Sequence, residues 1–304
     1  MKKVLLLRSK NHSANSPQYL EFASKIHANL QDIATVDNSS LERLVFDISN
    51  TRADIYDADT NASITDYDLI IIHVLTDEFQ DEAHALATFC KAKHIRCIDD
   101  YSSEVTSNKL VRAVCFAIND IPTPRTVYGP TEKLAALLPE FGEKAIFKDS
   151  NGTKGRLNYL VSSAAELQKI SAEHPDTRFV LQEFIKNSGD MRVVTINASA
   201  VLALHRSASG NSHINNTSQG GTATQLPIDE LPPHIKDIAI RAAQSVNVVI
   251  AGVDIIISAD TNQPFILEVN RTPQIATGAF QPEKVTAYST AIRDLLTANS
   301  TPIA

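Results

Sequence analysis

The sequence predicts an open α/β domain followed by two α+β units, and three observations support this. Over residues 1 to 105, short apolar runs alternate with segments of helical spacing, which is typical of a mainly parallel sheet covered by helices. From Thr106 onward, helices are interspersed with paired strands. The stretch 251–273, AGVDIIISADTNQPFILEVNRTP, predicts two apolar strands joined by a polar turn. We therefore predict domains at 1–105, 106–186 and 187–304.

Composition narrows the classes of protein that fit. With 304 residues, 43% of them hydrophobic, the chain is long enough to bury a sizeable core. Its formal charge of −7 argues against a nucleic-acid binder. Three cysteines with no C-x-x-C pair favour a reduced, cytoplasmic setting. The apolar run 4–7 is too short for a signal peptide, and no stretch reaches the ~20 apolar residues that span a bilayer, so we predict no membrane association.

The N-terminal elements follow from apolar runs and helical spacing. The first domain contains no G-x-G-x-x-G motif, which argues against a dinucleotide-binding site there. The polar segment 49–65 is expected to be a surface loop. The predicted strands are 3–7, 44–48, 68–75 and 95–98, and the predicted helices are 17–30 and 78–93.

The rest of the chain is predicted in the same way, with prolines after residue 120 marking an extended connection. A long polar loop is expected at 207–225. The predicted helices are 107–119, 132–141, 164–174, 233–246 and 281–300. The predicted strands are 144–148, 157–161, 178–185, 190–196 and 201–206, followed by the hairpin within 251–273.

That last hairpin carries two carboxylates on one face. With its centre at Thr261, Asp254 lies opposite Glu268, and Asn270 shares the face of Glu268 because side chains alternate along a strand. Buried carboxylates are costly unless a cation pairs with them, and an all-oxygen set suits Mg²⁺. We predict a metal site, with a solvated hairpin face as the alternative. The other face is predicted to form a core layer of Val253, Ile255, Ile257, Phe265, Leu267 and Val269.

A glycine-bearing loop between two strands is a candidate phosphate site. Backbone N–H groups exposed by glycine can bind phosphate oxygens, and the preceding Lys148 can neutralise them. An ordinary surface loop is the alternative. The loop runs through Ser150, Asn151, Gly152, Thr153, Lys154 and Gly155.

Two further segments are candidates for nucleotide and anion contacts. The strand exit at 182–185 can offer backbone groups to an adenine edge, and Asp190 can accept hydrogen bonds from ribose; an interdomain hinge is the alternative. In the next hairpin, Arg192 and Arg206 are expected to lie nearly opposite each other. Two guanidiniums on one face repel unless an anion lies between them. The pair therefore predicts an anion site.

Together and in this order, these motifs resemble the ATP-grasp superfamily of carboxylate–amine ligases over about residues 105–275. The resemblance is nearest to the branch of ribosomal-protein glutamate ligases and carrier-protein lysine ligases. It implies an ATP-grasp fold with an N-terminal open α/β domain. The implied nucleotide contacts are Lys109, Lys148, Gly152, Thr153, Lys154, Gly155, Gln182, Glu183, Ile185 and Asp190. The implied metal ligands are Asp254, Glu268 and Asn270, and the implied catalytic residues are Arg192, Arg206 and Asn216.

The resemblance implies a ligase that uses ATP and Mg²⁺, with Mn²⁺ as a substitute, to activate a carboxylate as an acylphosphate and join it to an amine. The expected partner is an amino acid, a peptide or a protein tail, and a homo-oligomer is compatible with the family. A carboxylate kinase-type enzyme and a catalytically weak nucleotide-binding regulator are the alternatives. Asn108 stands where the family often has an acid, and Ile214 and Gln219 stand where it often has basic residues. These departures leave the amino-acid substrate open.

Overall fold

The computed structural model describes residues 1–10, 17–74, 77–98, 108–152, 155–207, 222–271, 273, 275 and 280–297. It divides into two compact units, one formed by Met1–Glu104 with Arg271–Ala304 and the other by Val105–Asn270. The elements before residue 100 are β1 (Lys2–Arg8), α1 (Pro17–Leu30), β2 (Ala34–Ser40), β3 (Leu44–Ser49), β4 (Arg52–Asp57), β5 (Leu69–Val74), α2 (Gln80–Ala92) and β6 (Arg96–Ile98).

The remaining helices are α3 (Lys109–Ile118), α4 (Thr131–Leu137), α5 (Ala164–Glu173), α6 (Pro233–Ser245) and α7 (Gln281–Thr297). The remaining strands are β7 (Thr126–Tyr128), β8 (Ala145–Asp149), β9 (Asn158–Val161), β10 (Phe179–Glu183), β11 (Asp190–Ile196), β12 (Ser199–Ser207), β13 (Thr222–Leu226), β14 (Ile250–Ile257) and β15 (Pro264–Asn270).

The first unit contains a four-stranded parallel sheet in the order β2-β1-β5-β6. Val4 and Leu7 in β1, and Leu69 and Ile72 in β5, are all at most 1% exposed. Burial on both faces is what a parallel sheet between helices requires. The predicted open, mainly parallel α/β domain is therefore confirmed.

Two predictions within this unit were wrong. The predicted loop 49–65 contains β4, which pairs with β3 in an antiparallel hairpin, so β3 lies outside the parallel sheet. The edge strand β2 was missed altogether, because its sequence, ATVDNSS, has no apolar run. Its pairing with β1 depends on backbone hydrogen bonds, which its side chains do not indicate.

The last helix, α7, packs against α1 in the first unit. Lys25 Nζ lies 3.2 Å from Gln281 Oε1, and Asn29 Nδ2 donates to Ser289 Oγ at 3.0 Å. The chain after residue 270 thus groups with the N-terminal segment. The domain boundaries near 105 and 186 stay predictions.

Two antiparallel sheets make up the second unit. The first has the order β7-β10-β8-β9, and its core, which includes Phe147 and Leu181, is covered by α4 and α5. The second has the order β13-β12-β11-β14-β15 and packs against α6. Strand β13 overlaps the end of the predicted polar loop 207–225, so that prediction was wrong at its C-terminal end. Phe116 of α3 joins the core of the second sheet, and Arg112 of the same helix pairs with Glu268 of β15.

Among the described helices, none combines the length and the hydrophobicity that crossing a bilayer would require. The longest, α7, has 17 residues and carries charged side chains, including Glu283 and Arg293. Cys90, Cys97 and Cys115 are all described, and they form no disulfide with one another.

Candidate functional site

The register of the β14–β15 hairpin agrees with the prediction. Asp254 is the partner of Glu268, and Gly252 is the partner of Asn270. A bulge follows this pair, because Ile255 is opposite Ile266. The bulge moves Ile266 into the core at 0% exposure, whereas Phe265 and Leu267 are only partly buried. The predicted core layer was therefore wrong at those two positions, since strict alternation does not allow for a bulge.

Asp254 is buried, and cationic and amide donors surround it. Arg192 donates from Nε and from its terminal nitrogen to the two carboxylate oxygens at 2.7 and 2.8 Å. Arg206 lies 3.0 Å from Oδ2, and Asn270 Nδ2 donates to the same oxygen at 3.3 Å. Burial alone would raise the pKa of Asp254, but the two guanidiniums outweigh it and lower the pKa. Asp254 is therefore an anion held in place by two arginines.

The sequence predicted that Arg192 and Arg206 lie nearly opposite each other, and that prediction was wrong. Arg206 is the partner of Asp190, and Arg192 is the partner of Leu204. The turn has two residues, Asn197 and Ala198, both with positive φ, and a register shift between Val194 and Thr195 changes the pairing beyond it by one residue. The anions between the guanidiniums are the protein's own carboxylates.

Asp190 and Arg206 form a buried pair with two hydrogen bonds. Both carboxylate oxygens accept at 2.7 Å from Arg206, whose side chain is 4% exposed. Burial raises the pKa of Asp190 to about 6, against the opposing effect of Arg206. The role of Asp190 in binding ribose stays a prediction, and any ribose hydroxyl would share these oxygens with Arg206.

Lys148 and Lys109 both lie within electrostatic reach of Glu268. Lys148 Nζ donates to Gln182 Oε1 at 2.7 Å, and Gln182 Nε2 donates in turn to Thr126 Oγ1 at 2.8 Å. Burial, together with the charge of Lys109, lowers the pKa of Lys148 to about 8, while Glu268 acts in the opposite direction. Burial also lowers the pKa of Lys109, against the pull of Glu268. Two partly desolvated ammonium groups and a carboxylate thus meet at one place.

The glycine loop contacts the first lysine directly. Lys109 Nζ donates to the carbonyl oxygen of Gly152. A Cβ at Gly152 would come within 3.0 Å of Asp149 and of the Arg156 carbonyl oxygen, so the turn is tight. Gly155 has a φ of +74°. Thr153 and Lys154, together with Asn216 of the polar loop, lie outside the described residues.

Asn108, one of the departures from the family pattern, has a structural role. Its Oδ1 accepts from the Leu110 amide at 2.8 Å and caps α3, and its Nδ2 donates to Asn151 Oδ1 at 2.8 Å. A single amide can both accept and donate in this way, whereas an aspartate could only accept. Asn108 therefore ties the helix that carries Lys109 to the glycine loop.

Two of the backbone groups at the strand exit 182–185 already form hydrogen bonds within the protein. The Glu183 amide donates to the Arg125 carbonyl at 2.9 Å, and Asn187 Nδ2 donates to the Ile185 carbonyl at 2.7 Å. Gln182 is buried and orients Lys148. The adenine contacts of Glu183 and Ile185 stay a prediction.

Sequence reasoning missed Arg112. It lies one helical turn after Lys109, is 6% exposed, and its terminal nitrogen is 3.2 Å from Glu268 Oε1. A signal was present, because Lys109, Arg112 and Phe116 have the i, i+3, i+7 spacing of one helix face. An arginine on the same helix face as a core phenylalanine indicates a buried guanidinium that is paired with a carboxylate.

The described residues fit a magnesium–nucleotide complex in their chemistry. They contain no group of three or more His, Cys, Asp or Glu side chains arranged for a metal. Asp254, Glu268 and Asn270 nevertheless supply hard oxygen atoms, and Mg²⁺ takes one or two carboxylates and completes its shell with phosphate and water. The cations around them are suited to the phosphate groups.

A substitution at Gly189 tests the close approach of this residue to the backbone of Arg206. It precedes Asp190 with a φ of +133°, and a Cβ there would lie 2.4 Å from the Arg206 carbonyl oxygen. We expect Gly189→Ala to lower the free energy of unfolding by about 2–4 kcal/mol, because either the turn or the β11–β12 pairing must shift. Urea unfolding measures the loss.

The control for this variant is Gly142→Ala. Gly142 also has a positive φ, +83°, but nothing lies within 4 Å of its Cβ position. It should lose about 1–3 kcal/mol, the backbone strain of an alanine at this φ and a ψ of −152°, with no clash added. Equal losses of unfolding free energy in the two variants would show that the contact with the Arg206 carbonyl oxygen does not contribute.

Comparison with protein families gives one match over the region that holds this site. Residues 106–287 match a model of the RimK-like ATP-grasp domain. Tetrahydromethanopterin:alpha-L-glutamate ligase of Methanocaldococcus jannaschii is 30% identical over 177 residues, which are 55% of this chain and 58% of that protein. A probable alpha-L-glutamate ligase of Mannheimia succiniciproducens is 28% identical over 218 residues, which are 69% of this chain and 70% of that protein. The match to the first of these relatives thus spans less than two thirds of its length.

Solved structures match over nearly the whole chain. The ATP-grasp ligase PsnB complexed with a minimal precursor, Mg and ADP superposes with a TM-score of 0.70 at 15% identity, covering 97% of both chains. D-alanyl-alanine synthetase A of Vibrio cholerae superposes with a TM-score of 0.65 at 12% identity, covering 97% of both chains. At such low identity these superpositions show the fold alone, and the fold is the one predicted.

Proposed function

The chain belongs to the RimK-like ATP-grasp family, and from that membership we propose that it is an ATP- and Mg²⁺-dependent carboxylate–amine ligase that releases ADP. One observation supports this more than any other. Five cationic side chains gather around three carboxylates in one unit of a protein with a net negative charge. The cations are Lys109, Arg112, Lys148, Arg192 and Arg206, and the carboxylates are Asp190, Asp254 and Glu268.

An excess of partly buried positive charge is costly unless an anion joins it. A nucleoside triphosphate supplies that anion, and Lys109 and Lys148 would neutralise its phosphate oxygens. Asp254, Glu268 and Asn270 would hold Mg²⁺, which, when bound, neutralises phosphate charge as well. The glycine loop, joined to Lys109 through Gly152, would cover the phosphates.

The proposed reaction has two steps. A substrate carboxylate oxygen forms a bond to the γ-phosphorus, and the bond from that phosphorus to the ADP oxygen breaks, which leaves an acylphosphate. The amine nitrogen then attacks the acyl carbon, phosphate leaves, and the amine proton passes to phosphate or water. Catalysis would come from positioning and charge stabilisation. Arg192, whose side chain is 15% exposed, is better placed to reach a substrate than Arg206 at 4%.

The acceptor is proposed to be an amino acid or a peptide. Relatives are named glutamate ligases, and PsnB was solved with a precursor peptide. Three cysteines that form no disulfide fit a reducing, cytoplasmic setting.

A screen of ADP release tests the proposal. Purified protein is incubated with ATP, Mg²⁺ and pairs of carboxylates and amines, and products are identified by mass spectrometry. Release that needs both partners, with an amide product, supports the ligase. Release with the carboxylate alone favours a carboxylate kinase-type enzyme. Tight ATP binding without release across the panel favours a regulatory nucleotide binder.

The lowered pKa of Lys148 predicts how nucleotide affinity depends on pH. The free protein's Lys148 loses its proton as pH rises through about 8, whereas bound phosphate should keep it protonated. Above pH 8 binding must therefore take up a proton, and affinity should fall by up to about tenfold per pH unit. Below pH 7 this dependence should vanish. Titration calorimetry with ADP between pH 6.5 and 9.5 measures it.

Lys148→Arg is the control, because a guanidinium stays charged throughout this range. The difference between the native protein and Lys148→Arg in the slope of ADP affinity against pH is due to Lys148. Any slope that remains in Lys148→Arg is due to other groups such as Lys109. Identical slopes in both proteins would contradict the assignment of the proton to Lys148.

A further inference from the structure

The start of the glycine loop is joined to the start of α3 by successive hydrogen bonds. The Lys109 amide donates to the Ser150 carbonyl oxygen at 2.8 Å, and Asn108 Nδ2 donates to Asn151 Oδ1 at 2.8 Å. Lys109 Nζ donates to the Gly152 carbonyl oxygen. The first residues of the loop therefore contact both the N-cap and the first residue of the helix.

The same segment is fixed on its other side by the sheet. The Ser150 amide donates at 2.8 Å to the carbonyl oxygen of Arg178, the residue before β10, and Ser150 is 1% exposed. The Asn151 amide donates to Asp149 Oδ1 at 2.9 Å. Asn151 itself is exposed, and its side chain reaches α3 through Asn108. Because both side chains are neutral, this link can be removed without changing the charge of the site.

Ordering a loop around phosphate groups costs conformational entropy, about 1–2 kcal/mol for each backbone residue that becomes fixed. A segment that the free protein already holds in place adds no such cost at binding, so this preorganisation raises affinity without a new contact to the ligand. The link from Asn108 to Asn151 holds the loop beside Lys109, which is expected to bind phosphate. Asn108 also caps α3, so one side chain positions both the helix and the loop.

We propose that Asn108 and Asn151 are positioning residues for the nucleotide phosphates. Their hydrogen bond holds the first residues of the glycine loop beside Lys109 in the free protein, and so raises the affinity for nucleotides that carry phosphate. Both act through the loop backbone and Lys109, without touching the nucleotide. The inference rests on the proposed function, since it presupposes a nucleotide in this unit. It deepens that function by giving a role to Asn108, which stands where the family often has an acid.

Limited proteolysis of the nucleotide-free protein tests the link itself. Asn108→Ser keeps a capping oxygen but is too short to reach Asn151, and Asn151→Ala removes the other partner. Trypsin can cut the chain after Lys154 and after Arg156. We expect cleavage at these two bonds, identified by mass spectrometry, to be about two- to fivefold faster in either variant. The reason is that losing one exposed hydrogen bond raises the population of the open loop by about that factor.

ADP affinity, measured by titration calorimetry, tests the effect on the phosphates. Each single variant should bind ADP about two- to fivefold more weakly than the native protein, whereas adenosine, measured by competition with ADP, should bind equally well to all. The double variant should match the single variants, since the pair forms one bond. Asn119→Ala is the matched control, because Asn119 Nδ2 donates within α3 to the Cys115 carbonyl oxygen at 2.8 Å. It should change neither the cleavage rate nor the ADP affinity.

Unchanged cleavage in both single variants would overturn the inference, and so would tighter ADP binding or losses that add up in the double variant. An equal loss for ADP and adenosine would also overturn it, because the asparagines would then support folding in general. Thermal unfolding confirms that each variant is folded. If the native protein binds no ADP, the proposed function fails and the effect on affinity fails with it. The cleavage rates then decide by themselves whether the pair holds the loop.

Discussion

Lys148→Ala should reduce amine-dependent ADP release by about a hundred- to a thousandfold in kcat/KM. Lys148 is the ammonium held by Gln182 within electrostatic reach of Glu268 and Lys109. Removing one charge-stabilising donor from a water-excluded site typically has an effect of this size. Steady-state rates with the substrate pair found in the ADP-release screen provide the measurement.

Lys144→Ala is the matched control. Lys144 lies just before β8, four residues from Lys148, and is exposed. Its removal should change kcat/KM by less than about threefold, because a solvated surface charge contributes little. Thermal unfolding of both variants separates lost charge from lost structure. Undiminished turnover in a folded Lys148→Ala variant would contradict the assignment of this lysine.

Arg206→Met should lower the free energy of unfolding by about 3–5 kcal/mol. The substitution leaves Asp190 and Asp254 buried and takes away the guanidinium that bridges them. Removing one partner of a buried ion pair leaves an uncompensated charge, and effects of this size follow. Urea unfolding at neutral pH measures the loss.

A control variant and a double variant test the cause of this loss. Arg178→Met, which removes an exposed arginine with a long 3.4 Å hydrogen bond to the Tyr128 hydroxyl, should lose less than about 1 kcal/mol. The double variant Arg206→Met with Asp190→Asn should recover part of the loss, because it removes the carboxylate that was bonded to Arg206, whereas Asp254 keeps its hydrogen bonds from Arg192. A double variant less stable than Arg206→Met alone would show that the charge of Asp190 is not the source of the penalty.

Much of the fold could be predicted because its signals are local. The run 69–75 is apolar except for His73, and burial on both faces is the simplest explanation for such a run. The helix at Pro17–Leu30 matches its predicted bounds because its apolar positions follow helical spacing. Strand β2 gave no such signal, and its place at the sheet edge depends on a partner, β1, about thirty residues earlier in the chain.

The candidate site divides in the same way. The sequence predicted that Asp254 faces Glu268, and the structure agrees, but the pair lies beyond a bulge when counted from the turn, and that bulge offsets a turn centred half a residue before Thr261. The bulge after Asp254 was not predictable, and neither were the two-residue turn and the register shift after Val194, which together pair Arg206 with Asp190. One residue added or removed in a strand moves all later side chains to the other face.

The sequence by itself determined the family, the hairpin with two carboxylates and most of the cations that gather near it. Only the tertiary structure decided how their charges are paired. Asp254 is bound by Arg192 and Arg206, and Glu268 is bound by Arg112, which lies 156 residues earlier. The physical reason is that ion pairs depend on distances between side chains a few ångströms apart. Local spacing sets which face a charge occupies, but packing of one element on another sets which charge it meets.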